Sequence, residues 1–218
     1  MKRIIGLFLC ITMLLTLFGC GDDSGKKKNT IMIYMVGSDL EAKGGAGTND
    51  LDEIVKSGVD LDKNNVIIFA GGSKKWHNDT VSKNDELSVL KLTKDGFKRQ
   101  KTMPSASMGD AQSLLDFLNY SYKNYSAENY SLILWDHGDG PLIGYGKDML
   151  FDNDSLTLAE MGEALKKSPF GKNKKLSWVG FDACLMSSAE LAVVWADYAD
   201  YLVASQEVEP AFGCGVRQ

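Results

Sequence analysis

Thr30-Ile31-Met32-Ile33-Tyr34-Met35-Val36-Gly37 is an apolar run of strand length that stops at a glycine. Such a run reads as a strand covered on both faces and feeding a loop. The pattern returns at 65–71 (Asn-Val-Ile-Ile-Phe-Ala-Gly), 131–135 (Ser-Leu-Ile-Leu-Trp), 176–181 (Leu-Ser-Trp-Val-Gly-Phe) and 201–204 (Tyr-Leu-Val-Ala). Between these runs lie helical patterns over 50–57, 109–124, 157–167 and 187–198. In the second, Ala111, Leu114, Leu115 and Leu118 recur at helical spacings and share one face. Strands alternating with helices predict an α/β domain whose largely parallel sheet is covered on both sides. Residues 86–92 alternate polar and apolar side chains, which predicts a half-exposed strand in a local antiparallel hairpin.

Composition narrows the class. The 218 residues include 24 Lys and Arg against 29 Asp and Glu, a net charge of −5, with 44% hydrophobic residues. That is the balance of a globular domain, and the length suits one core. An acidic surface does not track phosphates, so no nucleic-acid partner is expected.

The first residues read as an address. Lys2 and Arg3 precede an apolar stretch over 4–18 that ends in Leu17-Phe18-Gly19-Cys20. The stretch is short for a membrane span and suits an export leader. A leader over 1–19 is expected, with Cys20 lipid-modified, a polar tether over 20–29 and a folded domain over 30–218. The protein would then sit in the cell envelope, exported and held to the membrane by its lipid. A plain secretory leader with an incidental Cys20 is the alternative. Of the remaining cysteines, Cys10 lies in the leader, so only Cys184 and Cys214 belong to the domain. Two cysteines make no disulfide framework, and both a single bridge and a reduced, reactive Cys184 stand as readings.

Ligand sites of open α/β sheets lie where strands end. Two such ends carry reactive groups: Trp135-Asp136-His137-Gly138 and Phe181-Asp182-Ala183-Cys184. Adjacent parallel strands would bring His137 and Cys184 together, as thiolate chemistry with an imidazole proton carrier requires. Each also has a plain reading, a small core cysteine and a hydrogen-bonded loop histidine. His77, in a polar loop, reads as surface.

Four motifs carry a resemblance: Ile33-Tyr-Met-Val-Gly-Ser-Asp-Leu-Glu41, Trp135-Asp-His-Gly-Asp-Gly140, Phe181-Asp-Ala-Cys-Leu-Met186 and Ala204-Ser-Gln-Glu-Val-Glu-Pro210. In this order they resemble the clostripain family of cysteine peptidases, across most of 30–210. The resemblance implies a caspase-like three-layer α/β/α sandwich and an endopeptidase cleaving after basic residues, mainly Arg. It implies Cys184 as nucleophile, His137 as general acid/base, and an oxyanion hole formed by the N–H groups of Gly138 and Cys184. Asp182 reads equally as a holder of a cationic substrate group and as a cap or loop partner. Ser205 and Gln206 are expected beside the bound peptide, and Lys147, in a glycine-rich stretch read as flexible, is a candidate for autocleavage. No cofactor is required. Calcium dependence is known in the family, although Asp148, Asp152, Asn153 and Asp154 lack EF-hand spacing. Beyond Pro210 the sequence departs from the family, with Phe212 near the place of an expected acidic specificity residue, and the ending reads as incomplete. An inactive peptide-binding lipoprotein and a solute-binding lipoprotein are the competing readings.

Overall fold

The structure is a computed structural model that describes residues 26–83 and 85–210. The expected leader, Cys20, most of the tether, Phe212 and Cys214 lie outside the described residues. Among the described residues nine strands follow in chain order: β1 (Lys27–Val36), β2 (Asn64–Gly71), β3 (Leu87–Thr93), β4 (Gly96–Met103), β5 (Ala127–Trp135), β6 (Tyr145–Asp148), β7 (Asp154–Leu156), β8 (Trp178–Asp182) and β9 (Leu202–Val203). The helices are α1 (Ser38–Gly44), α2 (Ala46–Lys56), α3 (Ala111–Asn124), α4 (Gly140–Ile143), α5 (Leu158–Lys167) and α6 (Ala189–Trp195). Seven strands form one sheet in the order β4-β3-β2-β1-β5-β8-β9, and β6 pairs with β7 apart from it. Strands β2, β1, β5, β8 and β9 run parallel, while β3 and β4 add an antiparallel hairpin at one edge.

Period-two alternation sorts the central strand between two cores. Met32, Tyr34 and Val36 of β1 join the side chains of α3, α5 and α6 on one face. Ile33 and Met35 join Leu51 of α2 with Trp76 and Val81 on the other. On the first face Phe69 and Phe117 stack with centroids 5.2 Å apart, and Tyr34 packs against both. The result is the expected three-layer sandwich. Helix starts follow local chemistry: the Asp110 carboxylate accepts the Gln112 N–H, and Thr157 and Glu160 form a reciprocal capping box.

Three expectations change. The domain does not begin at Thr30: β1 already includes Lys27–Asn29, where the Lys28 N–H donates to the Lys63 carbonyl at 2.9 Å. Polar residues at a strand end lack apolar signal but can still pair their backbone. The 86–92 strand is buried at Leu87–Leu90 and not half-exposed, because β4 lies outside it and takes the sheet edge. Lys98, Arg99, Gln100 and Lys101 leave β4 exposed and charged, which discourages pairing with another chain. Lys147 sits in β6 and not in a flexible loop: its N–H donates to Asp136 Oδ2 at 2.6 Å and its Nζ pairs with Asp139 at 2.9 Å.

Candidate active site

Met35 pairs with Trp135, and Trp135 with Asp182, so β1, β5 and β8 end level with one another. The segments leaving them, 37–39, 136–138 and 183–185, therefore emerge side by side. His137 and Cys184 both line a cleft of about 210 Å³, with Leu40, Trp135 and Asp182. The His137 and Cys184 loops touch through backbone: a Cβ at Gly138 would lie 2.1 Å from the Cys184 carbonyl oxygen. Only glycine fits there. Gly138 also bridges Tyr145, flanked by bonds from the Gly146 N–H to the His137 carbonyl and from the Asp139 N–H to the Gly144 carbonyl. In this pattern Gly138 is a non-hydrogen-bonded partner, so its own N–H is not spent on the pairing.

A polar network backs the cleft. His137 Nε2 lies 2.8 Å from Asp39 Oδ1, and Lys43 Nζ lies 2.9 Å from Asp39 Oδ2. Hydrogen bonds from Lys43 first and His137 second hold the Asp39 carboxyl down at about 2. Its neighbour in the network behaves oppositely. Asp136 is 4% exposed, and burial pushes its carboxyl up to about 7 although the Ser38 hydroxyl and Lys147 N–H donate to it. Asp50 accepts from the Trp135 indole at 2.5 Å and is raised by burial to about 6. Burial also pushes the Asp182 carboxyl up, against a hydrogen bond with the Glu209 side chain.

The half-buried Cys184 sulfur accepts the Glu209 N–H at 3.3 Å. The segment bearing Glu209 runs antiparallel to 185–187, with the Leu185 and Ser187 N–H groups donating to the Glu207 and Ser205 carbonyls. Of the residues singled out from sequence, the structure brings His137, Gly138, Cys184 and Asp182 together. Ser205 and Gln206 stand outside the cleft wall, where Val208, Glu209 and Pro210 take the expected place. His77 is exposed as expected, and its Nδ1 lies 3.2 Å from the buried Glu41. Among the described residues no group of three or more His, Cys, Asp or Glu side chains could hold a metal. Asp148 and Asp154 instead accept hydrogen bonds from Met108, Leu150 and Ser107. Ser38, Asp39, Asp50 and Asp136 escaped sequence reasoning. The first two closely follow the end of β1, but that this strand stops level with the His137 strand is set by the β1–β5 pairing, which the sequence does not display.

Comparison with known proteins bears on the family and the fold. The clostripain family model matches residues 33–215. Clostripain of Hathewaya histolytica is 29% identical, over 85% of this chain and 40% of that protein. A secreted C11 cysteine protease from Bacteroides thetaiotaomicron, solved with an irreversible peptide inhibitor, superposes with a TM-score of 0.70 at 22% identity, covering 86% of this chain and 51% of that one. An inactive zymogen C11 protease from Parabacteroides distasonis gives 0.63 at 25% identity, with 86% and 51% covered. The chain thus spans between 40% and 51% of the length of these relatives. With a family model running through the ends of all three site-forming strands, the chain belongs to the clostripain family.

Proposed function

We propose that the protein is a clostripain-type cysteine endopeptidase, exported and lipid-anchored, that cleaves peptides after Arg or Lys. The observation that carries the reading is the level ending of β5 and β8, which sets His137 and Cys184 on one cleft. Cys184 attacks the scissile carbonyl as thiolate, and His137 takes the thiol proton and passes it to the leaving amine. The N–H groups of Gly138 and Cys184 face the developing oxyanion. Asp182, with Glu209 beside it, supplies the negative charge that a basic side chain would meet. Ser205 and Gln206 offer backbone next to β9, the sheet edge where a peptide could add as a strand. The leader motif ending at Cys20 supports export and anchoring, and the secreted Bacteroides protease supports export alone. Contact of the Glu209 N–H with the thiol favours a second reading, a peptide-binding lipoprotein whose nucleophile is covered by its own chain.

Hydrolysis of fluorogenic Arg, Lys and Asp peptides tests the choice. Cleavage after Arg or Lys is expected, falling at least about 1000-fold in Cys184→Ala and in His137→Ala. Undiminished cleavage by Cys184→Ala overturns the mechanism. Peptide binding by a folded chain that cleaves nothing selects the second reading.

A further inference from the structure

We propose that Asp39 is a positioning residue for this chemistry: its carboxylate takes the Nε2–H of His137 and thereby reserves Nδ1 for the thiol proton of Cys184. The inference rests on the Cys184–His137 reading and adds a side chain to it. A neutral imidazole carries one ring proton, so fixing it on Nε2 leaves the lone pair on Nδ1. Asp39 Oδ1 stands 2.8 Å from Nε2, within hydrogen-bond reach.

The backbone is bent to achieve this. Ser38 has φ +47°, a left-handed conformation that is unfavourable for a non-glycine residue. Two bonds hold it there: its hydroxyl donates to Asp136 Oδ1 at 2.5 Å, and its carbonyl accepts from the Ser73 hydroxyl at 2.8 Å. Ser38–Asp136 and Asp39–His137 are therefore consecutive rungs between the ends of β1 and β5. On its other side α1 is pinned by Glu41, fully buried, which accepts from the Thr48 N–H and hydroxyl and from the His77 N–H. A surface ion pair with Lys43 alone would need neither the Ser38 bend nor this anchor.

The proton balance is simple. The Cys184 thiol proton moves to Nδ1 and the sulfur keeps the electron pair. The ring becomes an imidazolium facing the Asp39 carboxylate, which stays ionised. Nδ1 then gives its proton to the amine that leaves as the thioester forms. The other ionisable groups around the ring are Asp136 beside it, Asp182 and Glu209 along the cleft, and Lys43 behind Asp39.

The chain has two histidines, so nitrogen-15-histidine NMR of the full chain shows two rings. The neutral His137 ring is expected to hold its proton on Nε2, with the His77 ring as internal control for folding. Asp39→Asn is expected to lose that placement and to slow iodoacetamide alkylation of Cys184, read by mass spectrometry near pH 7, about tenfold. Asp39→Glu should recover part of the rate. If Asp39→Asn fails to fold, Lys43→Ala probes the same contact: freeing Asp39 of its exposed partner should leave the Nε2 proton in place and speed alkylation about twofold. A ring proton on Nδ1 in the unaltered chain overturns the proposal, as does an Asp39→Asn rate within twofold of the unaltered one or a Lys43→Ala rate that is unchanged or slower. Peptide hydrolysis that survives Cys184→Ala would instead strike the peptidase reading, leaving Asp39 to be judged by the ring proton alone.

Discussion

The parallel strands carry polar side chains at both ends, and the two ends use them differently. At the amino end the charged side chains, Lys27 and Lys28, stay at the strand start, and the groups bonded inside are neutral: Thr30, fully buried, donates to the Tyr125 carbonyl at 2.8 Å and accepts from the Asn65 amide at 3.1 Å, while Asn29 donates to Asn64. The two amide bonds tie β1 to β2, and the bond to Tyr125 ties β1 to the end of α3. At the carboxyl end four carboxyl groups gather, Asp136 and Asp182 on the His137–Cys184 cleft and Asp39 and Asp50 on a pocket beside α1 and α2, one pulled down in pKa and three pushed up. Stability alone would not select that second arrangement, since burying carboxylates opposes folding. One end is built to hold the sheet and the other to hold charge near a thiol.

That contrast can be broken experimentally, and the largest effect is expected where backbones touch. Gly138→Ala places a methyl against the Cys184 carbonyl. Proposed peptide hydrolysis should drop about 1000-fold or more, on the scale of losing well-placed catalytic groups. Thermal melting of the amino-end sheet, followed by circular dichroism, should move far less. Equal activity in this variant would deny the loop contact any role.

A middle-sized effect concerns pH. The folded Asp136 carboxyl titrates near 7, above its ordinary value, so folding favours its protonated form. The unfolded chain binds fewer protons across that interval, and stability is therefore lost as pH rises from about 4 through about 7. Asp50, raised to about 6, acts with the same sign. Asp39 acts with the opposite one: its contribution is present above the ordinary carboxylate value and is lost as pH falls toward about 2. Asp136→Asn should remove about 2 kcal/mol of the stability difference between pH 5 and pH 8, measured by urea unfolding at both. An unchanged difference would mean that Asp136 is not buried as a protonated acid.

The smallest effect belongs to the amino end. Thr30→Val leaves the Tyr125 carbonyl and the Asn65 amide without their partner and should cost about 1 kcal/mol at every pH, read by urea unfolding. Cys184 alkylation should stay unchanged, and a changed rate would erase the distinction between the two ends.

How much of this was legible in the sequence follows the same division. The central strands were readable because burial on both faces demands unbroken apolar runs, and α3 because its buried side chains recur at helical spacing. His137 and Cys184 were readable because both follow such runs directly. The β4 edge was not, since Lys98, Arg99 and Lys101 are chosen for solvent and hide the strand. Lys147 was misplaced because Gly144 and Gly146 read as loop punctuation. In the fold their positive φ values, 108° and 83°, let the chain pass close to Leu156 and Val36. Asp39 was quoted within a motif yet given no task, because no helical pattern was read at 38–44 and an acid after a strand-ending glycine has no histidine partner in the local sequence. Its partner is brought near only by the β1–β5 pairing, which no local pattern encodes.

That pairing also dictates when the cleft can exist. β1 docks between residues 64–71 on one side and 127–135 on the other, and β8 joins only after β5 is in place to receive it. Contacts so distant along the chain form slowly. A polypeptide made from its N-terminus must carry β1 with one flank unpaired until the middle of the sequence follows. Asp39, His137 and Cys184 thus meet at the close of assembly. Before that moment Cys184 has no imidazole beside it, so the onset of the thiolate reactivity proposed above would serve as a clock for the last step of folding.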